Sequence, residues 1–514
     1  MKTKNNLLKQ DSSYRRIPFF RRVRPLFWIL TTCMSGYVAA DNITSTWIGT
    51  GDGTASWNST SNWDTSTWPR NHGGDNYFAV IGDATGDRVI TVPSIGINGF
   101  SINQTSMTGS TTLRFNGVLT ILGDSAFGAS TGVTNTTGDL SRVKFDLNNQ
   151  TLNLIQFGTL TGLRTGGYTV GSSSESGGGT FVTRTWRDDL EDAQGINVED
   201  NVTIQLAIGE TSTITSKSTI SSTSTIHLNY AVTNAVSFRV DNETPIGNLV
   251  IGSASNSAAT KVSSTGSSTA GGPLRVLGDV HIHSYVGATG GAASELAISV
   301  SSYHRSLYVG GSFIDAGSDD FTYGNGNVRI YFNGGTGVEK TLSTGRSVQN
   351  AFQVGESAVK AGNIALGKNL TTTGNFTVLE NSRLNLESYS LNSGSFIGGE
   401  GANLAFTFGS LNGQVLTEDL TLGEFNLELF YDGSQWQDGD DLVLFDYTGT
   451  FTGDPTLGQF ELPEGWMADG LVHDSLAKTI YVSNLSSIPE PASMGLFLTA
   501  CGLFLTARRR YSRE

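Results

Sequence analysis

Cysteine is almost absent from this chain of 514 residues, which contains only two. Both of them, Cys33 and Cys501, lie in apolar segments near the two ends. The sequence between them therefore offers neither a disulfide framework nor a cysteine-based zinc site. Its stability has to come from packing and backbone pairing.

Charged residues are also scarce, at 15%, and long stretches rich in Ala, Glu, Lys and Leu are missing. This composition argues against a helical bundle or a coiled coil. A hydrophobic content of 37% with 10% aromatic residues argues against a disordered chain. Glycine is abundant, with 64 residues. The length allows either several domains or one long repeat array.

Basic residues are concentrated at the start of the chain. Residues 1–40 contain eight Lys or Arg and one acidic residue, Asp11. The rest of the chain is therefore more acidic than the overall net charge of −14. Nucleic acid and anionic lipid would be repelled by such a body, so we expect no nucleic-acid partner. A neutral glycan or a calcium-rich surface is compatible with this charge.

The N-terminal segment has the pattern of a secretory signal peptide. Basic residues extend to Arg24, an apolar run begins at Leu26, and small residues end the segment at Ala40. This predicts a signal peptide over residues 1–40, cleaved by signal peptidase after Ala40. The apolar run is short and interrupted by polar residues, which disfavours a permanent transmembrane anchor.

The C-terminal segment, residues 488–514, combines three signals in a fixed order. An apolar run over 494–507 is shorter than the ~20 residues usually needed to span a bilayer, so it could cross only with help from its flanks. Basic residues after this run hold that end on the cytoplasmic side. The flanking signals are the motif Pro489, Glu490 and Pro491 and the cluster Arg508, Arg509 and Arg510.

This arrangement resembles the PEP-CTERM sorting tail of Gram-negative envelope proteins. The resemblance implies recognition of Pro489, Glu490 and Pro491 by an exosortase, transient inner-membrane anchoring through a transmembrane helix, and delivery to the cell surface or extracellular matrix. The alternative is an ordinary tail anchor. Tails of this kind also end some proteins catalogued as ice-binding.

Tryptophan is concentrated in residues 41–84, among glycine and Asp/Asn turns. The segment resembles the opening of secreted proteins with autotransporter-associated β-strand repeats. We expect its tryptophans to cap a β stack, because they supply large apolar areas. The alternative is a carbohydrate-stacking platform. The residues concerned are Trp47, Trp57, Trp63 and Trp68.

The body of the chain, residues 85–410, alternates short apolar-polar strands with Gly, Asn, Asp and Ser turns. Because stacked short strands bury a continuous core without disulfides, we predict a mainly β fold, a parallel β-helix or β-solenoid. Tandem antiparallel β-sandwiches are the structural alternative. Residues 411–485 are expected to form a small C-terminal β module.

One repeat is regular, because Ser-Thr-Ile recurs at 212–214, 218–220 and 224–226. In one extended strand its threonines would share a face and its isoleucines the other. A flat threonine face can bind ordered water, so this segment supports an ice-binding alternative. The other interpretation is a half-exposed strand filled with β-branched residues.

Candidate catalytic residues do not converge in the sequence. Acidic clusters at 188–192, 319–320 and 438–441 are expected to be solvated turns, with calcium binding a minor alternative for 438–441. His281 and His283 would share a strand face, but no third ligand is evident beyond His304. The Gly-x-Ser-x-Gly pattern over 128–132 is not followed by a helical segment, as a nucleophile elbow requires.

These observations predict an exported, non-enzymatic envelope or matrix protein with a structural or adhesive role in exopolysaccharide. We expect no catalytic residue, no metal site and no cofactor. A polysaccharide-active β-helix enzyme, either a lyase or a glycoside hydrolase, is the alternative. An ice-binding or glycan-binding surface protein is a second one.

Overall fold

The structure is a computed structural model. It describes residues 42–49, 53–71, 76–102, 108–121, 141–154, 167–174, 177–189, 194–232, 234–241, 244–266, 273–298, 306–324 and 328–488. All of these residues belong to one compact unit, which begins at Asn42.

Short strands make up nearly all of the regular structure in these residues, together with a 3-10 turn at Thr60–Asn62. The strands are, in chain order, β1 (Asn42–Trp47), β2 (Gly53–Ser56), β3 (Asn76–Ile81), β4 (Arg88–Val92), β5 (Ile95–Ile97), β6 (Gly99–Ile102), β7 (Thr111–Phe115), β8 (Leu119–Ile121), β9 (Val143–Asp146), β10 (Thr151–Asn153), β11 (Thr169–Gly171), β12 (Thr180–Thr183), β13 (Asn197–Val198), β14 (Thr203–Leu206), β15 (Ser212–Ile214), β16 (Thr219–Ile220), β17 (Thr225–Leu228), β18 (Val236–Val240), β19 (Asn248–Ile251), β20 (Lys261–Gly266), β21 (Leu274–Val276), β22 (Val280–Ile282), β23 (Glu295–Ile298), β24 (Ser306–Val309), β25 (Phe313–Asp315), β26 (Arg329–Phe332), β27 (Lys340–Thr344), β28 (Ser347–Val348), β29 (Ala351–Val354), β30 (Asn363–Leu366), β31 (Leu370–Val378), β32 (Arg383–Asn385), β33 (Ser390–Gly398), β34 (Ala402–Phe408), β35 (Gln414–Leu422), β36 (Phe425–Tyr431), β37 (Asp440–Tyr447), β38 (Phe451–Gly453), β39 (Leu457–Glu461), β40 (Trp466–Met467), β41 (Gly470–Asp474) and β42 (Thr479–Ser487).

The strands form long parallel sheets. The longest, called sheet I here, has 15 strands in the order β39-β36-β34-β32-β30-β27-β25-β22-β19-β17-β14-β12-β10-β8-β5. Each coil of the chain adds one strand to this sheet and further strands to the others. These others are sheet II, with seven strands (β16 to β2), sheet III, with four (β15, β18, β20 and β23), sheet IV, with 13 (β21 to β40), and a three-stranded sheet of β1, β3 and β6.

This topology is mainly β and consistent with the predicted β-solenoid. Successive coils pair in parallel, as β14, β17 and β19 do. Antiparallel ladders occur among the described strands only where β42 pairs with β37, β40 and β41. Long parallel sheets do not occur in antiparallel β-sandwiches, the other architecture considered.

Alternation along most strands directs apolar side chains into the core. In β17, Ile226 and Leu228 are buried, whereas Thr225 and His227 face outward. Equivalent residues then stack from coil to coil, as in the fully buried rings of Phe352, Phe376 and Phe396, whose centroids lie 6.0 and 6.1 Å apart. Burial of such side chains contributes roughly 1.5–3 kcal/mol each, so a continuous core replaces the missing disulfides.

The C-terminal end differs from the other coils. Strands β35 and β36 still pair in parallel with β33 and β34. The last strand, β42, instead runs antiparallel to β37, β40 and β41. Trp436 fixes it further, because its Nε1 donates a hydrogen bond to the carbonyl O of Leu485 (3.0 Å). Segment 411–485 therefore contains both continuing coils and closing strands.

Candidate functional site

A groove of about 470 Å³ crosses the first half of β31, β33 and β35 and reaches the end of β37. Two glycines allow consecutive coils to approach closely there. A Cβ at Gly394 would lie 2.3 Å from the carbonyl O of Thr373, and one at Gly374 would lie 2.7 Å from that of Asn350. We call this the corner groove; it is lined by Thr371, Thr372, Thr373, Asn392, Ser393, Gly394, Leu416, Thr417, Glu418, Asp446 and Thr448.

The buried hydroxyls of the corner groove are already paired. Thr372 Oγ1 donates to the carbonyl O of Asn350 (2.6 Å), and Thr417 Oγ1 donates to that of Asp419 (2.9 Å). Ser393 Oγ donates to Thr417 Oγ1 (3.3 Å). These bonds fix the floor of the groove and leave its outward side chains for a ligand.

The outward side chains of the groove form a row along the solenoid axis. Thr371, Asn392, Leu416 and Asp446 occupy equivalent positions in consecutive strands. Neighbouring members of such a row are spaced by about 4.8 Å, the distance between paired strands. The row presents a hydroxyl, an amide and a carboxylate, with the apolar side chain of Leu416 between the amide and the carboxylate. Such a line suits an extended hydroxylated chain, which has apolar C–H groups as well as hydroxyls, better than a compact molecule.

An ionised carboxylate lies beside the groove. Asp419 Oδ1 accepts hydrogen bonds from Oγ1 (2.6 Å) and N (2.9 Å) of Thr450. The pKa of Asp419 is lowered by these two bonds, the side-chain bond having the larger effect. A carboxyl held in its ionised form is a poor proton donor, so this residue is unsuited to general-acid catalysis.

A second row, of threonines, lies on the outer face of sheet I. Four threonines are paired in register over consecutive coils, and Asn248 follows them. Each is half-exposed. We call this the threonine row; it consists of Thr151, Thr180, Thr203 and Thr225.

Polar side chains continue this line into the next coils but are engaged with the backbone. Asn248 Oδ1 accepts from the N–H of Asp279 (2.8 Å), and Asp279 Oδ1 from that of Ser312 (2.6 Å). Ser312 Oγ accepts from the N–H of Thr341 (3.1 Å). Beyond Asn248 these groups therefore serve coil stacking.

The Ser-Thr-Ile repeat does not form one threonine face, and this expectation was wrong. Its three copies belong to one coil but fall in β15, β16 and β17, which lie in sheets III, II and I. Thr213 is buried, whereas Thr219 is exposed. A period of six residues thus places successive copies on different sides of the solenoid.

The N-terminal tryptophans are core residues. Trp57 and Trp63 are fully buried and Trp47 nearly so, with Trp47 and Trp57 packed edge-on against Trp63 at centroid distances of 5.1 and 4.8 Å. Trp68 is half-exposed beneath the guanidinium of Arg70. The three buried rings have no face available to stack on a sugar.

The acidic cluster at 188–192 is only partly a solvated turn. Asp188 is fully buried and accepts hydrogen bonds from the N–H of Thr215 (2.7 Å) and from Ser218 Oγ (2.5 Å). Burial raises the pKa of Asp188 against the effect of these bonds. Asp189 pairs with Arg187, and residues 190–192 lie outside the described residues.

The cluster at 319–320 borders a buried ion pair that was not foreseen. Arg346 and Asp315 are both fully buried, with Nε and Oδ2 3.0 Å apart. Tyr323 donates its hydroxyl hydrogen to Asp315 Oδ2 (2.7 Å), and Asp319 Oδ1 lies 3.5 Å from Arg346 Nε. Asp319 is therefore part of a structural network rather than a free solvated turn.

The acidic turn at 438–441 holds the last strand. Asp438 accepts hydrogen bonds from the N–H and Oγ of Ser487, both at 2.9 Å. Asp441 accepts from the N–H of Asn484 at 3.1 Å. Asp440 is exposed. Two of the three carboxylates are thus engaged with the backbone of β42.

The histidine pair was predicted correctly as to its face. The rings of His281 and His283 stack with centroids 4.0 Å apart. His227 lies nearby, with Nε2 2.9 Å from the carbonyl O of Gly252. Burial lowers the pKa of His283, as do the charges of His281 and His227. Across the described ranges, no group of three His, Cys, Asp or Glu side chains is placed to hold a metal ion.

The predicted processing residues lie outside the described residues. These are Ala40, the motif Pro489, Glu490 and Pro491, the cluster Arg508, Arg509 and Arg510, and the apolar run 494–507. Two candidates of another kind, the Gly-x-Ser-x-Gly pattern at 128–132 and the possible metal ligand His304, also lie outside the described residues. The described chain ends at Ile488, whose N–H donates to the carbonyl O of Gly465 (2.6 Å).

Comparison with known proteins gives no relative. No family model matches the chain, and neither a curated protein nor a solved structure matches it. None of the described segments forms a helix of sufficient length and apolarity to cross a bilayer.

Proposed function

We propose that this protein is an exported structural or adhesive component of a bacterial envelope or extracellular matrix, sorted by an exosortase-type system. The observation that carries the proposal is the corner groove, in which three polar side chains and Leu416 form one outward row along the solenoid axis. The sorting part rests on the signal peptide and tail motifs of the sequence.

A linear polysaccharide is the ligand that suits this geometry. Hydroxyl, amide and carboxylate groups pair with sugar hydroxyls, each hydrogen bond contributing about 0.5–1.5 kcal/mol. Single contacts are weak, but contacts repeated along a polymer act together. Repeated weak contacts of this kind are sufficient for a protein that binds a polysaccharide without cleaving it.

The binding part is tested with neutral and acidic polysaccharides in affinity electrophoresis of the purified protein. We expect retardation by at least one polymer, and weaker retardation of the variant Thr371→Ala/Asn392→Ala. Asn234→Ala, which removes another exposed asparagine, serves as the control. No retardation by any polymer would contradict the proposal.

The same incubations are assayed for new reducing or unsaturated ends, which tests the enzyme alternative. A structural or adhesive protein leaves the polymers intact. Product from any polymer would favour a lyase or glycoside hydrolase on the β-solenoid and overturn the non-enzymatic proposal.

The sorting part is tested by truncation before Pro489 and fractionation of the cells. We expect the truncated chain to be released as a soluble protein, whereas the full chain passes through the membrane fraction. A truncated chain that stays with the membrane would show that the tail is not the anchor.

The threonine row favours a second candidate function, the binding of ordered water at an ice surface. Its four threonine side chains, spaced regularly from coil to coil, form a narrow line of hydroxyl and methyl groups on which ordered water can bind. Inhibition of ice recrystallisation by the purified protein measures this activity. Thr180→Lys/Thr203→Lys should abolish it, whereas Thr377→Lys on sheet IV should not.

A further inference from the structure

A second hollow, of about 780 Å³, opens at the C-terminal end of the solenoid. Aromatic rings form one side of it, and the loop between β36 and β37 forms its rim. Tyr431 and Trp436 line the hollow together with Gln435, Gln437 and Asp440.

The aromatic side is rigid. Tyr431 packs against Trp466 with ring centroids 4.7 Å apart, and the buried ring of Phe408 lies behind, 5.3 Å from Trp436 and 4.8 Å from Trp466. The indole Nε1 of Trp436 is held by the carbonyl O of Leu485. Because these contacts hold Tyr431 and Trp436 in place, the aromatic wall is preformed. Both rings are half-exposed, so a ligand can reach them.

The side chains of the rim are not needed to cover the core, because the aromatic rings already do so. Gln435, Gln437 and Asp440 are exposed. Other residues anchor the loop to the neighbouring coil, because the N–H of Asp432 donates to the carbonyl O of Phe408 (3.1 Å) and Ser434 Oγ accepts from the N–H of Ser410 (2.5 Å). The rim thus places two amides and a carboxylate around a fixed aromatic wall.

We propose that this hollow binds a short neutral saccharide. Aromatic rings favour the C–H faces of sugars, and convergent amide and carboxylate groups fix the orientation of a ligand in such pockets. The residues lining the hollow include a carboxylate but neither lysine nor arginine, so an acidic sugar would be repelled. This site extends the proposed glycan contact but is separate from the corner groove.

The test uses neutral tetrasaccharides of glucose and mannose, titrated into the purified protein and followed by tryptophan fluorescence and calorimetry. Gln435→Ala/Gln437→Ala should weaken binding by about tenfold or more, since two hydrogen bonds are lost. The matched control, Gln194→Ala, removes another exposed glutamine and should bind unchanged. Equal thermal midpoints show that the variants are folded.

Two outcomes overturn the inference: no tetrasaccharide produces heat or a fluorescence change, or the double variant binds as tightly as the unaltered chain. The corner-groove variant Thr371→Ala/Asn392→Ala separates this site from the proposed function. It should bind tetrasaccharide normally, while its binding of polymer is weakened. Polymer binding without tetrasaccharide binding would leave the proposed function standing and remove the second site.

Discussion

At the scale of single residues, the corner groove depends on glycine. Gly394 is the clearest case, because a Cβ there would meet backbone rather than a flexible side chain. The similar sequences Thr373-Gly374-Asn375-Phe376 and Ser393-Gly394-Ser395-Phe396 thus have a steric cause. They mark where two coils come too close for any side chain.

Gly394→Ala should lower stability by about 1–3 kcal/mol, the usual cost of forcing an extra carbon into a packed site. The control is Gly337→Ala, because no atom lies within 4 Å of the added Cβ. Urea denaturation followed by circular dichroism measures both. Equal midpoints for the two variants would contradict the close approach.

Two half-buried imidazoles make stability depend on pH. Burial lowers the pKa of His227, against the effect of its hydrogen bond to Gly252, and that of His283 is lowered as well. The unfolded chain, with histidine pKa values near 6.5, then binds more protons than the folded one. Their stabilising contribution is therefore present above about pH 6.5 and is lost as the pH falls below it.

We expect the thermal midpoint to fall between pH 7.5 and pH 5.5, and to fall less in His227→Gln/His283→Asn. Differential scanning calorimetry across this range measures the difference. Parallel pH profiles of the two proteins would show that these imidazoles remain as basic in the folded state as in the unfolded one.

At the scale of one element, the coil containing β25 and β27 encloses a charge. Arg346 lies at the centre, with Asp315 as its ion-pair partner, the ring of Phe321 4.3 Å from its guanidinium carbon and the carbonyl O of Ser294 accepting from Nη2 at 2.9 Å. Removing one member of such a buried pair leaves the other uncompensated.

Arg346→Met should therefore cost about 3–5 kcal/mol of stability. The double variant Asp315→Asn/Arg346→Met should recover part of this loss, because no charge is left unpaired. Arg329→Met, at an exposed arginine, should change stability by less than about 0.5 kcal/mol. Chemical denaturation of the three variants decides whether the pair is coupled.

Elements were easier to predict from the sequence than their placement. Apolar-polar alternation indicated short strands and a stacked architecture, since both follow from local pattern. The Ser-Thr-Ile repeat misled because its period says nothing about corners between strands. The threonine row has no signature in the sequence, because its members are separated by coils of unequal length. Asp188 was expected in a solvated turn, and its burial depends on coil contacts that the local sequence does not specify.

At the scale of the whole molecule, each coil contacts mainly its two neighbours. Stability in such a fold is approximately a sum of coil and interface contributions. Because Arg383 is paired in register with Asn403, residues 383–402 amount to one coil at this side of the solenoid. Removing a coil should bring two compatible coils together.

Deletion of residues 383–402 should therefore give a folded protein with a slightly lower thermal midpoint. Deletion of 383–392, half a coil, should disrupt the fold, because it shifts every later strand to another side. Circular dichroism and limited proteolysis compare the two. A folded half-coil variant would contradict a coil-by-coil architecture.

The parallel ladder of sheet I also determines how the molecule would extend under mechanical tension. Pulled along its axis, the solenoid carries the same force through every coil interface in series, so the weakest interface yields first. A coil such as 203–224 occupies about 4.8 Å of axis while folded but roughly 70–80 Å when straightened. A protein tethered between a cell and its matrix would then lengthen one coil at a time, absorbing a sudden load while the remaining coils stay intact.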